Sequence, residues 1–221
     1  GQVEELLTRY GKIDLIWFDG HGQDSISMER IHELQPGIVV NPRAHGAGDF
    51  KTFECSFPKE RPEGWWEYCH IMNDGGWGYL KHETYRPIGW LTSEYARTIA
   101  WGGNFLPNVG PDGDGELPPV FYKRLEQLAE WLKHSGVSVQ GAQAGPDKAN
   151  VPITTRGDTW YLHVLLQSPN TVELKADAAP KSVKLLRTGA GLPWSQENGL
   201  ITINIHNDQR TVADDVVEVV W

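Results

Sequence analysis

The 221-residue sequence lacks several features that define particular classes of protein. Its two cysteines, Cys55 and Cys69, form no Cys-x-x-Cys pair, which gives no support for a zinc site or a disulfide framework and favours free thiols. The histidines never form a His-Glu-x-x-His motif, and Gly-x-Gly-x-x-Gly, Walker and Gly-x-Ser-x-Gly sequences are missing. We therefore expect no catalytic metal and no nucleotide cofactor.

Positive charge and long apolar runs are also scarce. The chain has 20 Lys and Arg residues against 29 Asp and Glu residues, a formal net charge of -9. Such a surface disfavours phosphate backbones and anionic lipids, so we expect neither nucleic acid nor a membrane as a partner. No apolar run approaches the roughly 20 residues that a membrane-spanning helix needs. The sequence therefore predicts a globular protein with a neutral or cationic partner.

Tryptophan, by contrast, is abundant, with ten residues in the chain. Such large rings pack in protein cores, and they also stack on the apolar faces of sugar rings. Several aromatic residues surround the carboxylates discussed below, namely Trp65, Trp66, Trp77, Tyr79, Trp90 and Trp101. We expect packing to account for most of them and sugar stacking for one or two.

The first 140 residues alternate helical and strand patterns. Predicted helices cover residues 3–9, 28–34 after a Ser27 cap, about 93–101 after a Ser93 cap, and 120–134. Predicted strands, the first two of them buried, cover residues 13–18, 38–40, 65–72 and 104–109, with a long loop over 42–64. This alternation predicts about four βα units with a parallel sheet.

After residue 140 the pattern changes to short strand-like runs separated by turn residues. These runs cover residues 159–166, 182–186, 200–205 and 216–221. We therefore predict two domains, a βα domain over 1–140 and an all-β domain over 141–221, joined by a linker at 141–150.

Acidic residues at the end of the first predicted strand and in the long loop are the candidate catalytic groups. Asp19 closes the strand, where parallel sheets bind ligands, although a carboxylate there can also cap the next loop. Glu54, Glu60, Glu63 and Glu67 are possible partners or simply solvated surface residues. Paired carboxylates are what cleavage of a glycosidic bond requires.

Five motifs then follow one another in a characteristic order. They are Tyr-Gly-Lys-Ile-Asp-Leu-Ile-Trp-Phe-Asp-Gly at 10–20, Leu-Gln-Pro-Gly-Ile-Val-Val-Asn at 34–41, Gly-Asp-Phe-x-Thr-x-Glu at 48–54, a Trp-Glu-x-Cys to Trp-Gly-Tyr segment at 66–79, and a Gly-Gly-Asn to Asp-Gly segment at 102–115. Together they resemble the α-L-fucosidases of glycoside hydrolase family 29. The resemblance covers about residues 1–137, and the β-rich tail resembles that family's C-terminal β-sandwich less specifically.

The resemblance implies a retaining exo-glycosidase that releases terminal α-L-fucosyl residues from fucosylated glycans or glycosides through a covalent fucosyl-enzyme intermediate, without a cofactor. Asp19 matches the nucleophile position and Glu54 the acid/base position. Glu67 is the alternative acid/base, but its place beside Trp66 favours a supporting role at the substrate site. An extracellular, periplasmic or lysosomal-type compartment is implied as well.

The same resemblance suggests further substrate-binding residues. Arg43 would contact the sugar or orient a carboxylate, although relatives commonly have Asn-Asp-Arg where this chain has Asn-Pro-Arg. Trp77 would lie against the apolar face of fucose, and His21 and Trp66 are weaker candidates for contact with the sugar.

The implied fold is a partial (β/α)8-like, TIM-type barrel followed by an antiparallel β-sandwich. Four strands cannot close a barrel that needs about eight, and the open edges would expose backbone groups. We therefore expect an N-terminal segment of a longer polypeptide, or homo-oligomerisation, to complete the barrel. The alternative function is a non-catalytic carbohydrate-binding or assembly module.

Overall fold

The structure, a computed structural model, contains both helices and sheets. It describes residues 1–20, 26–43, 46–82 and 84–221. Parallel strand pairs come first along the chain and antiparallel sheets later, which confirms the predicted mixture of α/β and all-β structure.

Two compact units make up the described chain, residues 1–69 and residues 70–221. The change to antiparallel strands after residue 140 falls inside the second unit. The division into domains of 1–140 and 141–221 stays a prediction.

The first unit begins with a short βαβ arrangement. Its elements are α1 (Gln2–Arg9), β1 (Leu15–Ile16), α2 (Met28–Leu34) and β2 (Val39–Val40). Strands β1 and β2 pair in parallel, and the Ser27 side chain caps α2 by accepting a hydrogen bond from the Arg30 N–H at 3.2 Å. Helix α2 therefore has the predicted bounds, because its capping serine and the Pro36-Gly37 turn are both local signals.

The prediction of a buried strand over residues 13–18 was wrong in two respects. Only Leu15 and Ile16 form β1, and the Leu15 side chain is 47% exposed. The apolar core of this arrangement comes from Leu7, Phe18, Ile31, Ile38 and Val40. Among the described residues β1 pairs with β2 alone.

Asn41 extends the pairing beyond the two short strands with its side chain. Its Nδ2 donates to the Phe18 carbonyl oxygen at 2.9 Å, and its Oδ1 accepts from the Phe18 N–H at 2.8 Å. The amide is fully buried, so both of these hydrogen bonds are shielded from water. Asn41 therefore fixes the backbone between Trp17 and Asp19.

The segment after β2 folds back on the strand it has just left. Asp49 accepts a hydrogen bond from the Val40 N–H at 2.8 Å and donates its own N–H to the Val40 carbonyl oxygen at 2.8 Å. Gly48 allows this approach, because a Cβ there would lie 2.6 Å from the Pro42 nitrogen. The next strand consequently starts close to the end of β2.

A second parallel pair comes next along the chain. It consists of β3 (Lys51–Glu54) and β4 (Trp66–Ile71), with Glu54 aligned to Cys69 and Thr52 to Glu67. Strand β3 lies inside the segment predicted to be a loop over 42–64. That prediction was wrong because four residues of mixed polarity carry too weak a pattern to be distinguished from a loop.

Side chains alternate between the two faces of the β3–β4 pair. Phe53, Trp66 and Tyr68 share one face, where Phe57 joins them. The Trp66 ring meets the Phe53 and Phe57 rings edge-on with centroids 5.8 Å apart in each case. Glu54 and Glu67 belong to the opposite face.

The second unit carries two longer helices with a strand between them, α3 (Ile88–Ala100), β5 (Asn104–Asn108) and α4 (Pro119–Ser135). The predicted Ser93 cap was wrong, since α3 begins after Pro87 and contains Ser93. Pro87 is the extended residue just before the helix, where its carbonyl oxygen accepts from the Leu91 N–H at 3.2 Å, and no side chain caps this end. Among the described residues no helix is both long and apolar enough to cross a membrane.

Two antiparallel sheets follow. Their strands are β6 (Gln143–Ala144), β7 (Ile153–Arg156), β8 (Thr159–Val164), β9 (Thr171–Lys175), β10 (Ser182–Leu185), β11 (Trp194–Glu197), β12 (Leu200–Asn204) and β13 (Asp215–Val220). The five-stranded sheet has the order β10-β13-β8-β7-β6, and the three-stranded sheet has the order β11-β12-β9. Leu162 and Val217 from the first sheet and Leu174 and Ile201 from the second belong to one buried cluster.

Sequence patterns identified four of these eight strands. The residues predicted to form a linker, 141–150, contribute β6 to the five-stranded sheet. The alternating pattern of β9 was missed because its exposed positions are Glu173 and Lys175, which are uncommon in strands.

The helices of the second unit are joined to the segment that leads into β13. Trp131 donates its indole N–H to the Asp214 carbonyl oxygen at 2.7 Å, and the Asp214 N–H donates to the Thr92 hydroxyl at 3.0 Å. A Cβ on Gly89 would lie 2.2 Å from the Val212 carbonyl oxygen, so α3 approaches this segment as closely as only glycine permits.

A buried polar chain runs through the five-stranded sheet. Thr154, His163 and Asp214 are all buried, with His163 Nε2 lying 2.9 Å from Thr154 Oγ1 and His163 Nδ1 lying 2.7 Å from Asp214 Oδ2. The Thr154 hydroxyl donates its one proton to the Ser138 carbonyl oxygen at 2.5 Å, so it accepts from His163 and Nε2 carries a proton. Burial acts to raise the pKa of Asp214, and His163 opposes this effect.

We predict that Thr154→Val destabilises the protein by about 1–3 kcal/mol, because it leaves the His163 N–H and the Ser138 carbonyl oxygen buried without a partner. Urea unfolding followed by circular dichroism measures the change. Thr202→Val on β12 is the matched control, since that threonine is only half-buried and falls on another sheet. Equal stabilities of the two variants would contradict the prediction.

Candidate active site

Asp19 lies just beyond the carboxyl end of β1. Its side chain is 78% exposed, and its Oδ1 accepts hydrogen bonds from the Gly20 N–H at 2.9 Å and from Arg43 Nη1 at 3.1 Å. One carboxylate therefore both caps the following turn and pairs with a cation. The cap considered for Asp19 from its position is therefore present, and its catalytic role stays a prediction.

Arg43 connects Asp19 to Glu54. Arg43 lies three residues after Val40, the last residue of β2, and Asp19 lies three residues after Ile16, the last residue of β1. Ile16 and Val40 are aligned in the parallel pair, so the two side chains occupy equivalent positions. Arg43 Nη1 donates to Asp19 and Arg43 Nη2 donates to Glu54 Oε2 at the end of β3. One planar guanidinium therefore forms a hydrogen bond to each of the two candidate catalytic carboxylates.

A tryptophan that the sequence patterns did not single out lies against this arginine. The Arg43 Cζ is 4.6 Å from the centroid of the Trp17 ring, within the range of a cation–π interaction. The Trp17 Nε1–H donates to Glu67 Oε1 at 3.0 Å. Trp17 and Asp19 are two residues apart in an extended segment, and this spacing places two side chains on one side of the chain.

Neighbouring groups raise the pKa of Arg43, which as an arginine is protonated in any case. Burial of the guanidinium acts to lower the pKa of Arg43, but the hydrogen bond and the charge of Glu54, with smaller contributions from Cys69 and Asp19, raise it overall. A permanently charged arginine between two carboxylates offsets their mutual repulsion.

Cys69 is aligned with Glu54 in the β3–β4 pair. Burial, followed by the charges of Glu54 and Glu67, raises the pKa of the Cys69 thiol to about 11. The thiol is therefore neutral around pH 7. Cys69 is buried, Cys55 is exposed, and both are free, as the sequence predicted.

The remaining predicted site residues are placed differently. Trp66 is 1% exposed and packs on the face of the β3–β4 pair opposite Glu54, so it presents no ring face to a sugar. Trp77 is 43% exposed, and its carbonyl oxygen accepts from Asn108 Nδ2 at 2.9 Å within the second unit. His21 lies outside the described residues. Glu60 and Glu63 are exposed.

Two residues that support the site were missed from the sequence, Trp17 and Asn41. The period-two spacing of Trp17 and Asp19 is a signal that could have identified the first. No local signal identifies Asn41, because its partner Phe18 is 23 residues away along the chain.

Two carboxylates fixed by one arginine are a group that suits the chemistry of glycoside hydrolases, which use a pair of Asp or Glu residues. A family profile described as alpha-L-fucosidase matches residues 1–137. The chain therefore belongs to the alpha-L-fucosidase family.

Individual relatives agree with this assignment. The chain is 28% identical to the mouse tissue alpha-L-fucosidase, over 89% of this chain and 49% of the relative. It is 30% identical to the human plasma alpha-L-fucosidase, over 90% of this chain and 50% of the relative. The chain thus spans about half the length of the curated relatives it matches.

Solved structures share the fold. Alpha-L-fucosidase isoenzyme 1 from Paenibacillus thiaminolyticus superposes with a TM-score of 0.80 and 27% identity, over all of this chain and 60% of that one. A glycoside hydrolase family 29 alpha-L-fucosidase from Bacteroides thetaiotaomicron, captured as a covalent intermediate, has the same TM-score at 20% identity, over 99% of this chain and 59% of that one.

We predict that iodoacetamide at pH 8 modifies one thiol of the native chain, that of Cys55, because Cys69 is buried and its thiolate forms only near pH 11. Mass spectrometry should show one added group in the native protein and two in guanidinium chloride. Cys55→Ser is the matched control and should stay unmodified while folded. Rapid labelling of native Cys55→Ser would contradict the burial of Cys69.

Proposed function

We propose that this chain supplies the two catalytic carboxylates of a retaining α-L-fucosidase, with Asp19 as the nucleophile and Glu54 as the acid/base. The observation that carries the proposal is the shared contact of both carboxylates with Arg43. All three residues lie within the region matched by the family profile. Retaining glycosidases keep their two carboxyl groups about 5–5.5 Å apart, and a common arginine suits such a separation.

The proposed reaction has two steps. In the first, Glu54 in its protonated form gives its proton to the glycosidic oxygen while Asp19 attacks the anomeric carbon, so the glycosidic bond breaks, a fucosyl ester of Asp19 forms and Glu54 becomes a carboxylate. In the second, Glu54 takes a proton from water, the water oxygen attacks the anomeric carbon, and Asp19 leaves as a carboxylate. The covalent intermediate captured for the Bacteroides thetaiotaomicron protein corresponds to the product of the first step.

The substrate is proposed to be a terminal α-L-fucosyl group of a glycan or glycoside. The names of the relatives support this substrate. Exposed Trp77 is the proposed partner for the apolar face of fucose, and His21 a further contact. Trp66 is not proposed as a contact of the sugar, because its ring is buried.

The fold of the catalytic part is proposed to be a (β/α)8-like barrel of which this chain supplies about four βα units. The parallel pairs β1–β2 and β3–β4 support this architecture. Since the chain spans about half of its curated relatives, another segment or a second copy would supply the other strands. A non-catalytic binding or assembly module is the alternative, favoured by the high exposure of Asp19.

We predict that the two carboxylates differ when each is removed from the active form of the protein. Asp19→Gly should abolish formation of the fucosyl-enzyme. Glu54→Ala should lose about 10²- to 10⁴-fold in rate on an unactivated disaccharide and much less on an aryl α-L-fucoside, whose departure needs little protonation. Stopped assays on both substrates measure the difference.

Azide tests the assignments independently of rate. It should give the β-fucosyl azide with Asp19→Gly, by replacing the nucleophile, and the α-fucosyl azide with Glu54→Ala, by attacking the covalent intermediate. Glu60→Ala and Glu63→Ala, both at exposed positions, are the controls and should behave as wild type. Wild-type activity of Glu54→Ala on the disaccharide would place the proton donor elsewhere.

We also predict that the chain acts only when its sheet is completed. We expect the completed assembly to bury over ~1,000 Å² at its interface. Light scattering at micromolar concentration measures the mass of the assembly, and release of nitrophenol from 4-nitrophenyl α-L-fucoside measures its activity. Activity should be found only in the assembly. The partner would be a second copy or a separately supplied segment. An active monomer of the 221-residue chain would exclude this requirement.

A further inference from the structure

We propose that Trp17 and Glu67 are positioning residues that set the orientation of Arg43, and through it the orientation of Asp19 and Glu54. The inference rests on the proposed function, since it concerns the two carboxylates named there. It gives Glu67 a role in which it touches neither the sugar nor the leaving group.

The first link is the hydrogen bond between Glu67 and Trp17. The indole has a single polar atom, and Trp17 Nε1 donates to Glu67 Oε1 at 3.0 Å. Both side chains are partly buried, so neither is free to reorient as an exposed side chain would be. Since Trp17 is joined to the chain at one end and to Glu67 at the other, the plane of its ring is fixed.

The second link is the contact of that ring with the guanidinium. The Arg43 Cζ lies 4.6 Å from the ring centroid, and the arginine side chain is only 23% exposed. A cation–π contact is stronger when water is partly excluded, and arginine adds stacking of its flat group on the ring. A change in the tilt of the indole therefore changes the tilt of the guanidinium.

The third link is the pair of hydrogen bonds that leave the guanidinium. Nη1 donates to Asp19 and Nη2 donates to Glu54, so one rigid plane carries both bonds. Rotation of this plane moves both donors at once. The nucleophile and the acid/base consequently depend on the same upstream contact, although Glu67 is bonded to neither of them in this network.

The position of Glu67 on β4 fits this supporting role. In the β3–β4 pair, Cys69 is aligned with Glu54. Glu67 lies two residues before Cys69 and is aligned with Thr52. Two residues of strand span roughly 6.6 Å. The carboxylate is near enough to bind the indole beneath Arg43, and its Oε1 is occupied by the Trp17 N–H.

Three variants of the active protein separate this role from others. Glu67→Leu removes the acceptor, Trp17→Phe keeps a ring but removes the donor, and Glu67→Gln keeps an acceptor oxygen without the charge. We expect kcat to fall about 10- to 100-fold in Glu67→Leu and Trp17→Phe, because misplaced catalytic groups cost rates of this order, with KM changed less than threefold. Glu67→Gln should stay within about threefold of wild type, and the Trp17→Phe/Glu67→Leu double variant should be no slower than the worse single variant.

The controls distinguish positioning from catalysis and from simple stability. If Glu67 were the proton donor, Glu67→Gln would be as slow as Glu67→Leu and azide would rescue both. Glu63→Leu, at an exposed position, should match wild type. Thermal unfolding of each variant shows whether it is folded at the assay temperature, and wild-type kcat in folded Glu67→Leu would overturn the inference.

A measurement without turnover tests the first link directly. The NMR signal of the Trp17 indole N–H, identified by its loss in Trp17→Phe, should exchange with solvent at least tenfold faster in Glu67→Leu than in wild type or Glu67→Gln. An unchanged exchange rate would overturn the inference even if the chain is inactive alone. Activity that survives Asp19→Gly would instead overturn the proposed function, so the two failures are distinct.

Discussion

The candidate site depends on one cation held between two anions. Asp19 and Glu54 come from different strand ends, and Arg43 from a third. Two carboxylates repel each other at short range, and the repulsion grows where water is partly excluded. The arginine offsets this repulsion and adds directional hydrogen bonds, which a lysine ammonium would not supply in the same planar arrangement. The order of the strands and the length of each turn therefore matter chiefly because they deliver these three side chains to one place.

Parallel pairing explains why three distant positions can meet. In a parallel pair, two residues that follow aligned positions by the same number of residues lie at the same edge of the sheet. Asp19 and Arg43 are each three residues past the aligned Ile16 and Val40. The Asn41 amide continues the pairing to Phe18, the residue just before Asp19. The fold thus supplies geometry from backbone register, and side chains refine it.

Local signals in the sequence predicted the fold best where they were complete. Helix α2 has a capping serine and a Pro-Gly stop, and its predicted bounds are those observed. The predicted start of α3 was wrong because Ser93, which lies inside the helix, resembles a capping residue, whereas the residue before the helix is Pro87, which has no capping side chain. Strand β3 was hidden because its pairing with β4 is decided by contacts more than a dozen residues apart.

The candidate site divides in the same way. Asp19 was found from its place at a strand end, and Glu54 was chosen from several glutamates by resemblance to a family. Arg43 and Glu67 were named, but their connection through Trp17 was not. That connection depends on a bond between residues 50 positions apart, which no local pattern encodes.

The close approach of α3 to the segment before β13 has a consequence for how such a protein can be divided. Gly89 leaves no room between the helix and the Val212 backbone, and the Asp214 backbone bonds to Thr92 and Trp131. Chain on both sides of residue 140 therefore shares one packed interior. The sheets after residue 140 therefore cannot be exchanged by themselves. A chimaeric protein with different sheets would also need helix surfaces that match them.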